Sequence, residues 1–248
     1  MTNLFNIRIL IICFMFYFFP SCEGPETEIP IMTGDLFGRV ETFDEFGQSM
    51  PDHKGVEVII EGTDPLLKTL TDASGNYSFE GLQTGTYNLV FTKDRFQTRK
   101  VFSYQFVGGK VPTYFNTLVY LSEKSTTSIT EFSISVTDEN NPDSSRYTTV
   151  KVEHATSPPS TQDKPRPLNV YLSTSDGVSI DNYEYKLSLG ITGNIDIIRI
   201  DRLPSNSTCY AIMYPIPAFC NPYYDPFSDL YDYSCYGTPS EVISFQVP

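Results

Sequence analysis

Seven tyrosines fall within residues 209–236: Tyr210, Tyr214, Tyr223, Tyr224, Tyr231, Tyr233 and Tyr236. Phe227 stands among them with Asp225, Asp229 and Asp232, while Pro215, Pro217, Pro222 and Pro226 restrict the backbone. Tyrosine offers a large contact area at small entropic cost, and carboxylates accept hydrogen bonds. A loop over 215–236 that exposes Tyr223, Tyr224, Phe227, Tyr231 and Tyr233 beside Asp225, Asp229 and Asp232 therefore suits stacking on sugar rings or packing on a protein partner. The competing expectation is that these rings cover the end of their own domain, because aromatics usually bury. Exposure decides between the two. The three aspartates could also gather around calcium, although their spacing matches no EF-hand loop.

Three cysteines lie in the same region, Cys209, Cys220 and Cys235. There is no CxxC and no histidine close by, so zinc is not expected. Three pairings are open to three cysteines. Cys209 sits within a predicted strand, where a small buried thiol is common. Cys220 and Cys235 bracket 14 residues, and a disulfide between them would stabilise the fold by about 3 kcal/mol. That pairing, with Cys209 free, is the expectation. A bond from Cys209 to either partner would instead pin the loop onto its domain.

Catalytic signals are lacking. The two histidines continue as His53-Lys54-Gly55-Val56 and His154-Ala155-Thr156-Ser157, neither with a glutamate three residues on. No Gly-x-Ser-x-Gly elbow or glycine-rich phosphate loop occurs in the sequence. No cofactor, metal or enzymatic activity is expected. A formal net charge of -13 argues against nucleic acid as a partner, which calls for a basic face.

The elements that must position these residues begin with an address. The first charge is Arg8, and an apolar run follows from Ile9 to Phe19, too short for a mature membrane helix. Pro20-Ser21-Cys22 closes it. A small residue before a cysteine at that place resembles a bacterial lipobox, with Phe19 standing where Leu, Val or Ile is usual. The resemblance implies a signal peptide over 1–21 and a diacylglycerol on Cys22; the alternative is an ordinary secretory signal with Cys22 as a passenger. Residues 22–31 read as an acidic, proline-bearing tether. Acidic residues after the acylated cysteine resemble the export signal of Bacteroidetes-type lipoproteins. That implies an outer-membrane, lipid-anchored protein on the periplasmic or cell-surface face.

With 18 prolines, 15 glycines, 14% aromatic and 40% hydrophobic residues, the rest of the chain reads as short strands and turns around packed cores. Leu36, Gly38 and Val40 alternate with Phe37, Arg39 and Glu41, and Val56, Val58 and Ile60 with Glu57, Ile59 and Glu61. Tyr87, Leu89 and Phe91 form a third such set. Turn signals stand at 44–47, 72–75 and 83–85, and Gly75 is placed where a positive φ is needed. Gly38-Arg39-Val40, the run from Gly55 to Thr63, the run from Thr71 to Phe79, and the run from Gly81 to Leu89 follow in an order that resembles the carboxypeptidase regulatory-like domain. That family has a transthyretin-type sandwich of about seven strands, assigned here to 32–122. Lys93-Asp94-Arg95-Phe96 departs from it, since the family has glycine before the aromatic, and a different turn is expected there. The resemblance carries no catalysis: the zinc domain that accompanies the module in carboxypeptidases is missing. The chain ends Ser244-Phe245-Gln246-Val247-Pro248 rather than with the Tyr-Arg-Gly-Ser of transthyretin-like hydrolases. Many TonB-dependent glycan or peptide importers carry the same module, which implies an importer as a partner.

Ser122 to Thr127 is a polar break and the expected boundary. Beyond it Phe132, Ile134 and Val136 alternate, a turn is expected over 138–143, and further strands follow at Val150–Val152, 168–172, 183–189, 195–200, 209–214 and 241–247. A second sandwich over 126–248 is predicted. The run from Leu203 to Tyr210 and that from Tyr236 to Phe245 resemble the last strands of fibronectin type III modules, implying an immunoglobulin-like fold. The fold class is all-β, two consecutive antiparallel sandwiches. The function expected is non-enzymatic binding or scaffolding in the envelope, with a purely structural spacer as the rival.

Overall fold

A computed structural model describes residues 32–136, 147–190 and 193–248. The signal peptide, Cys22, the tether and the turn expected at 138–143 lie outside the described residues. Residues 32–248 form one compact unit.

The first sandwich contains β1 (Thr33–Phe43), β2 (Glu57–Glu61), β3 (Leu67–Leu70), β4 (Asn76–Gln83), β5 (Gly85–Thr92), β6 (Arg99–Phe106), β7 (Thr113–Tyr114) and β8 (Val119–Ser122). One sheet runs β3-β2-β5-β6 and the other is organised around β1, with β4 on one side and β7 then β8 on the other. The alternation read from sequence becomes the core. Leu36, Val40, Val56, Val58, Ile60, Leu89 and Phe91 are completely buried between the sheets. Full burial of one such side chain stabilises the fold by about 2 kcal/mol. Two pairings depart from the antiparallel expectation: β7 and β8 both run parallel to β1, with Leu36 opposite Thr113 and Val40 opposite Val119. The 107–112 loop carries the chain back alongside β1 in the same direction.

Two glycines explain the local geometry. Gly75 adopts φ +83°, and a Cβ there would lie 2.0 Å from the Val40 carbonyl oxygen. Asp72 accepts from the amide of Asn76 and then from that of Ser74, which holds its carboxyl below the usual carboxylate range. Gly38 leaves room for the Tyr77 ring, whose atoms would stand 2.3 Å from a Cβ at that position. At the departure from the family pattern, Arg95 itself takes the left-handed conformation, φ +63°. Arginine thus adopts the backbone that glycine would, at a cost of about 1 kcal/mol.

The second sandwich contains β9 (Ser128–Val136), β10 (Tyr147–Ser157), β11 (Leu168–Ser173), β12 (Tyr185–Ser188), β13 (Ile195–Asp201), β14 (Ser207–Pro215), β15 (Tyr223–Asp225), β16 (Leu230–Asp232) and β17 (Ile243–Val247). A three-stranded sheet β13-β10-β9 faces a four-stranded sheet β12-β11-β14-β17. Ile134, Val150, Val152 and Ile200 meet Leu168, Val170, Leu172, Met213 and Phe245 between them. Without tryptophan, the space is filled by aliphatics, Met213, Phe245 and the buried thiol of Cys209.

The polar stretch from Ser122 to Thr127 is a half-buried splice. Ser122, Ser125 and Thr127 are buried. Glu123 N donates to Phe43 O, Lys124 N to Arg95 O and Ser125 N to Cys235 O. Glu45 accepts from the Thr126 amide and hydroxyl, and Arg166 Nη1 lies 2.9 Å from Thr127 Oγ1 and 3.6 Å from Glu45 Oε1.

Candidate functional site

The tyrosine-rich loop leaves β14 at Pro215 and crosses to the first sandwich. Four prolines lack the amide donor a ladder requires, which keeps the segment from extending β14. Ala218 N donates to Glu45 O. The Phe219 ring stands 5.0 Å from Phe43 and 5.7 Å from Tyr120. Asn221 N donates to Gln97 Oε1, and Gln97 Nε2 donates to Asn221 O and to Tyr120 O. The short hairpin β15–β16 follows, and the chain returns through Ser234 and Cys235. Cys220 is bonded to Cys235 across a Cα–Cα distance of 5.9 Å, and Cys209 is a free buried thiol.

Alternation along the hairpin divides its rings. Tyr223 faces inward and is buried, with Phe102 at 6.1 Å, the Arg99 guanidinium over its ring at 5.7 Å, and its hydroxyl donating to Asp232. Burial first, then the Asp232 charge, pushes its hydroxyl pKa upward. Arg99 Nη1 also donates to Pro222 O. Tyr223 therefore cannot offer a face to a ligand. This corrects the expectation of five exposed rings, and the physical reason is strand parity: adjacent residues 223 and 224 point to opposite sides.

Tyr224, Phe227 and Tyr231 are exposed, at 44%, 77% and 54%. Tyr224 and Tyr231 are cross-strand partners with ring centroids 5.5 Å apart. Phe227 at the hairpin tip also touches Phe102, at 5.6 Å. Tyr233 is half-buried between Tyr231 at 6.1 Å and Tyr236 at 5.2 Å. Interplanar angles of 58° and 36° along Tyr224, Tyr231 and Tyr233 give a twisted row rather than a flat shelf.

The aspartates serve the hairpin itself. Asp225 Oδ1 accepts from the Phe227 amide, Asp229 from the Tyr224 hydroxyl, and Asp232 from Tyr223 and from the Ser234 amide. The Asp229 bond raises the Tyr224 hydroxyl pKa. Among the described residues, no three histidine, cysteine or acidic side chains are gathered so as to hold a metal ion. The calcium possibility thus finds no cluster at Asp225, Asp229 and Asp232.

Inward, the row continues into the second sandwich. Tyr236 meets Tyr214 at 5.9 Å, Tyr214 meets Tyr171 at 5.6 Å, and Tyr171 meets Tyr183 at 4.8 Å. Asn169 Nδ2 donates to the Tyr236 hydroxyl, which lies 3.1 Å from that of Tyr171. Some rings therefore do cover the end of their own sandwich. Tyr183 is 41% exposed and stands near enough to Tyr233 to raise its pKa, a secondary effect after burial. Tyr183 and Phe102 belong to this surface but lie far from it in sequence, and no local pattern marks them.

The histidines serve the frame. His53 Nδ1 accepts from the Thr42 amide at 3.1 Å, and His154 Nε2 lies 3.1 Å from Asp196 Oδ2 and ties β10 to β13. An open hollow of about 390 Å³ near Tyr87 is lined by Thr63, Pro65, Leu67, Phe79 and Leu82. The chemistry on offer is stacking and hydrogen bonding.

Residues 38–119, within the first sandwich, match the family model of the carboxypeptidase regulatory-like domain. No curated protein matches the chain. Three solved structures show distant similarity. A DUF3823 family protein from Bacteroides uniformis is 12% identical over 87% of this chain and 100% of its own, with a TM-score of 0.32. A Bacteroides uniformis protein for which carbohydrate binding has been proposed is 12% identical over the same shares, with a TM-score of 0.30. The FN1–FN3 domains of chicken CNTN1 are 10% identical over 84% of this chain and 62% of theirs, with a TM-score of 0.32.

Proposed function

We propose that this chain, whose first sandwich is a carboxypeptidase regulatory-like domain, is a non-enzymatic envelope lipoprotein that captures a glycan or peptide on its hairpin rings. The observation that carries the reading is the exposure of Tyr224, Phe227 and Tyr231 on a hairpin fastened at both ends. Large exposed apolar groups on a rigid base are the usual mark of an interaction surface. Preorganisation by the Cys220–Cys235 bond lowers the ordering cost of binding. The twisted row favours a single twisted glycan chain over a flat crystalline surface, and the acidic setting disfavours anionic ligands. In this reading Cys22 carries the lipid, the outer membrane is the location, and a TonB-dependent importer is the neighbour that takes up the captured ligand.

A second reading, a rigid spacer, is favoured by the hydrogen bonds that join Gln97, Thr98 and Arg99 to Asn221, Ser234 and Pro222. The two readings separate on an array of neutral and anionic oligosaccharides and of peptides. Binding calls for retention of a subset by the native chain and loss of that retention in Tyr224→Ala/Phe227→Ala/Tyr231→Ala. No retention at all, with both proteins folded, leaves the spacer.

A further inference from the structure

We propose that the pole of the first sandwich built by Met32 and the 107–111 loop rests in the interfacial layer of a phospholipid bilayer. Approach to the membrane rests on the Cys22 anchor of the preceding reading; the contact itself rests on the geometry of this pole. Val107 and Val111 are 70% and 78% exposed, and Met32 is also exposed. The loop between the valines is Gly108-Gly109-Lys110, with both glycines in left-handed conformations. Gly109 N donates to Thr33 O, which fastens the loop to the start of β1, and Thr84 N donates to Met32 O beside it. A Cβ on Gly34 would collide with the Gly109 backbone. Tyr114 is exposed further along β1, against the Phe37 ring at 5.9 Å.

Two β-branched side chains standing in water contribute nothing to the core, so the loop holds them outward for some other surface. The position of the chain entry points to lipid. Cys22 lies ten positions before Met32, a reach of at most about 35 Å even when fully extended. The far end of β1, at Phe43, carries the second sandwich about 33 Å away. The pole beside the leash is therefore the part of the body that arrives first. At the interface, Val107, Val111 and Met32 enter the acyl boundary while the Lys110 ammonium meets lipid phosphates. Among the described residues, the carboxylates nearest in sequence to the bonded segments are Asp35, which accepts from Gly81 N, and exposed Glu80; the tether adds Glu28 four positions before Met32. With a net charge of -13 the contact is apolar rather than electrostatic. Two valines bind weakly by themselves, so the contact serves to orient a protein that is already tethered.

The chain has no tryptophan, so Val111→Trp introduces a unique indole. The full mature chain, tethered at its amino end by a hexahistidine to nickel-chelating lipid, is placed on phosphatidylcholine vesicles whose acyl chains carry bromine. The Val111→Trp indole is expected to shift to the blue and lose intensity to bromine, while Val242→Trp on the second sandwich does neither. Adding Val107→Asp is expected to abolish both effects without changing the circular dichroism. An unshifted, unquenched Val111→Trp indole overturns the proposal. So does a blue shift without bromine quenching, which means that protein covers the pole. The artificial tether makes this outcome independent of acylation: mass spectrometry of membrane-extracted native chain, finding an unmodified Cys22, overturns the anchor alone.

Discussion

The Thr98 amide donates to the Ser234 hydroxyl oxygen over 2.9 Å, joining residues 136 positions apart. The start of edge strand β6 in the first sandwich is thereby tied to the loop of the second. Gln97 with Asn221, and Arg99 with Pro222 and Tyr223, repeat the contact on either side. Tyr223→Ala is expected to destabilise the fold by about 3 kcal/mol, because it empties a buried site and strips Arg99 of its ring. Tyr224→Ala and Tyr231→Ala should each change stability by less than about 0.5 kcal/mol. Urea unfolding of the three variants checks the contrast.

Breaking the staple should loosen the same junction. The Cys220→Ser/Cys235→Ser variant is expected to lose about 3 kcal/mol of stability in the chain-entropy account. Faster hydrogen exchange at the Thr98 and Asn221 amides should accompany the loss, while the core amides of β11 and β14 change less.

Buried Tyr77 packs on Gly38 and Phe91, and its hydroxyl has no hydrogen-bond partner. An unsatisfied buried hydroxyl costs about 1 kcal/mol or more. Tyr77→Phe should therefore raise the urea midpoint.

Burial raises the hydroxyl pKa values of Tyr77, Tyr171 and Tyr223, with Asp232 adding to the last. Each group keeps its proton in the folded state at a pH where the unfolded chain, titrating near 10, has lost it. Their contribution is fully present below pH 10 and is lost as the pH rises above it. Urea midpoints should hold steady from pH 7 to about 9 and fall steeply above 10, while tyrosinate absorbance rises over the same range.

How much of this could be read in advance follows from the range over which each signal acts. The cores of both sandwiches were legible because alternation is local: Val56, Val58 and Ile60 announce β2, and Val150 and Val152 announce part of β10. The parallel pairing of β7 and β8 with β1 was not, since strands of two and four residues carry no period. The turn at Arg95 keeps a left-handed backbone that glycine would mark and arginine conceals. In the tyrosine loop, residue types signalled contact chemistry, but not which ring turns inward. Parity between Tyr223 and Tyr224 would have separated them. The partners of Tyr223, Arg99 and Phe102, lie more than a hundred residues away, beyond any local pattern.

Electrophoresis through native gels that contain soluble neutral polysaccharides tests ligand capture by the hairpin rings. The native chain should be retarded in at least one of them, and Tyr224→Ala/Phe227→Ala/Tyr231→Ala should run unretarded with an unchanged urea midpoint. Equal retardation of both proteins would contradict the assignment of binding to these rings.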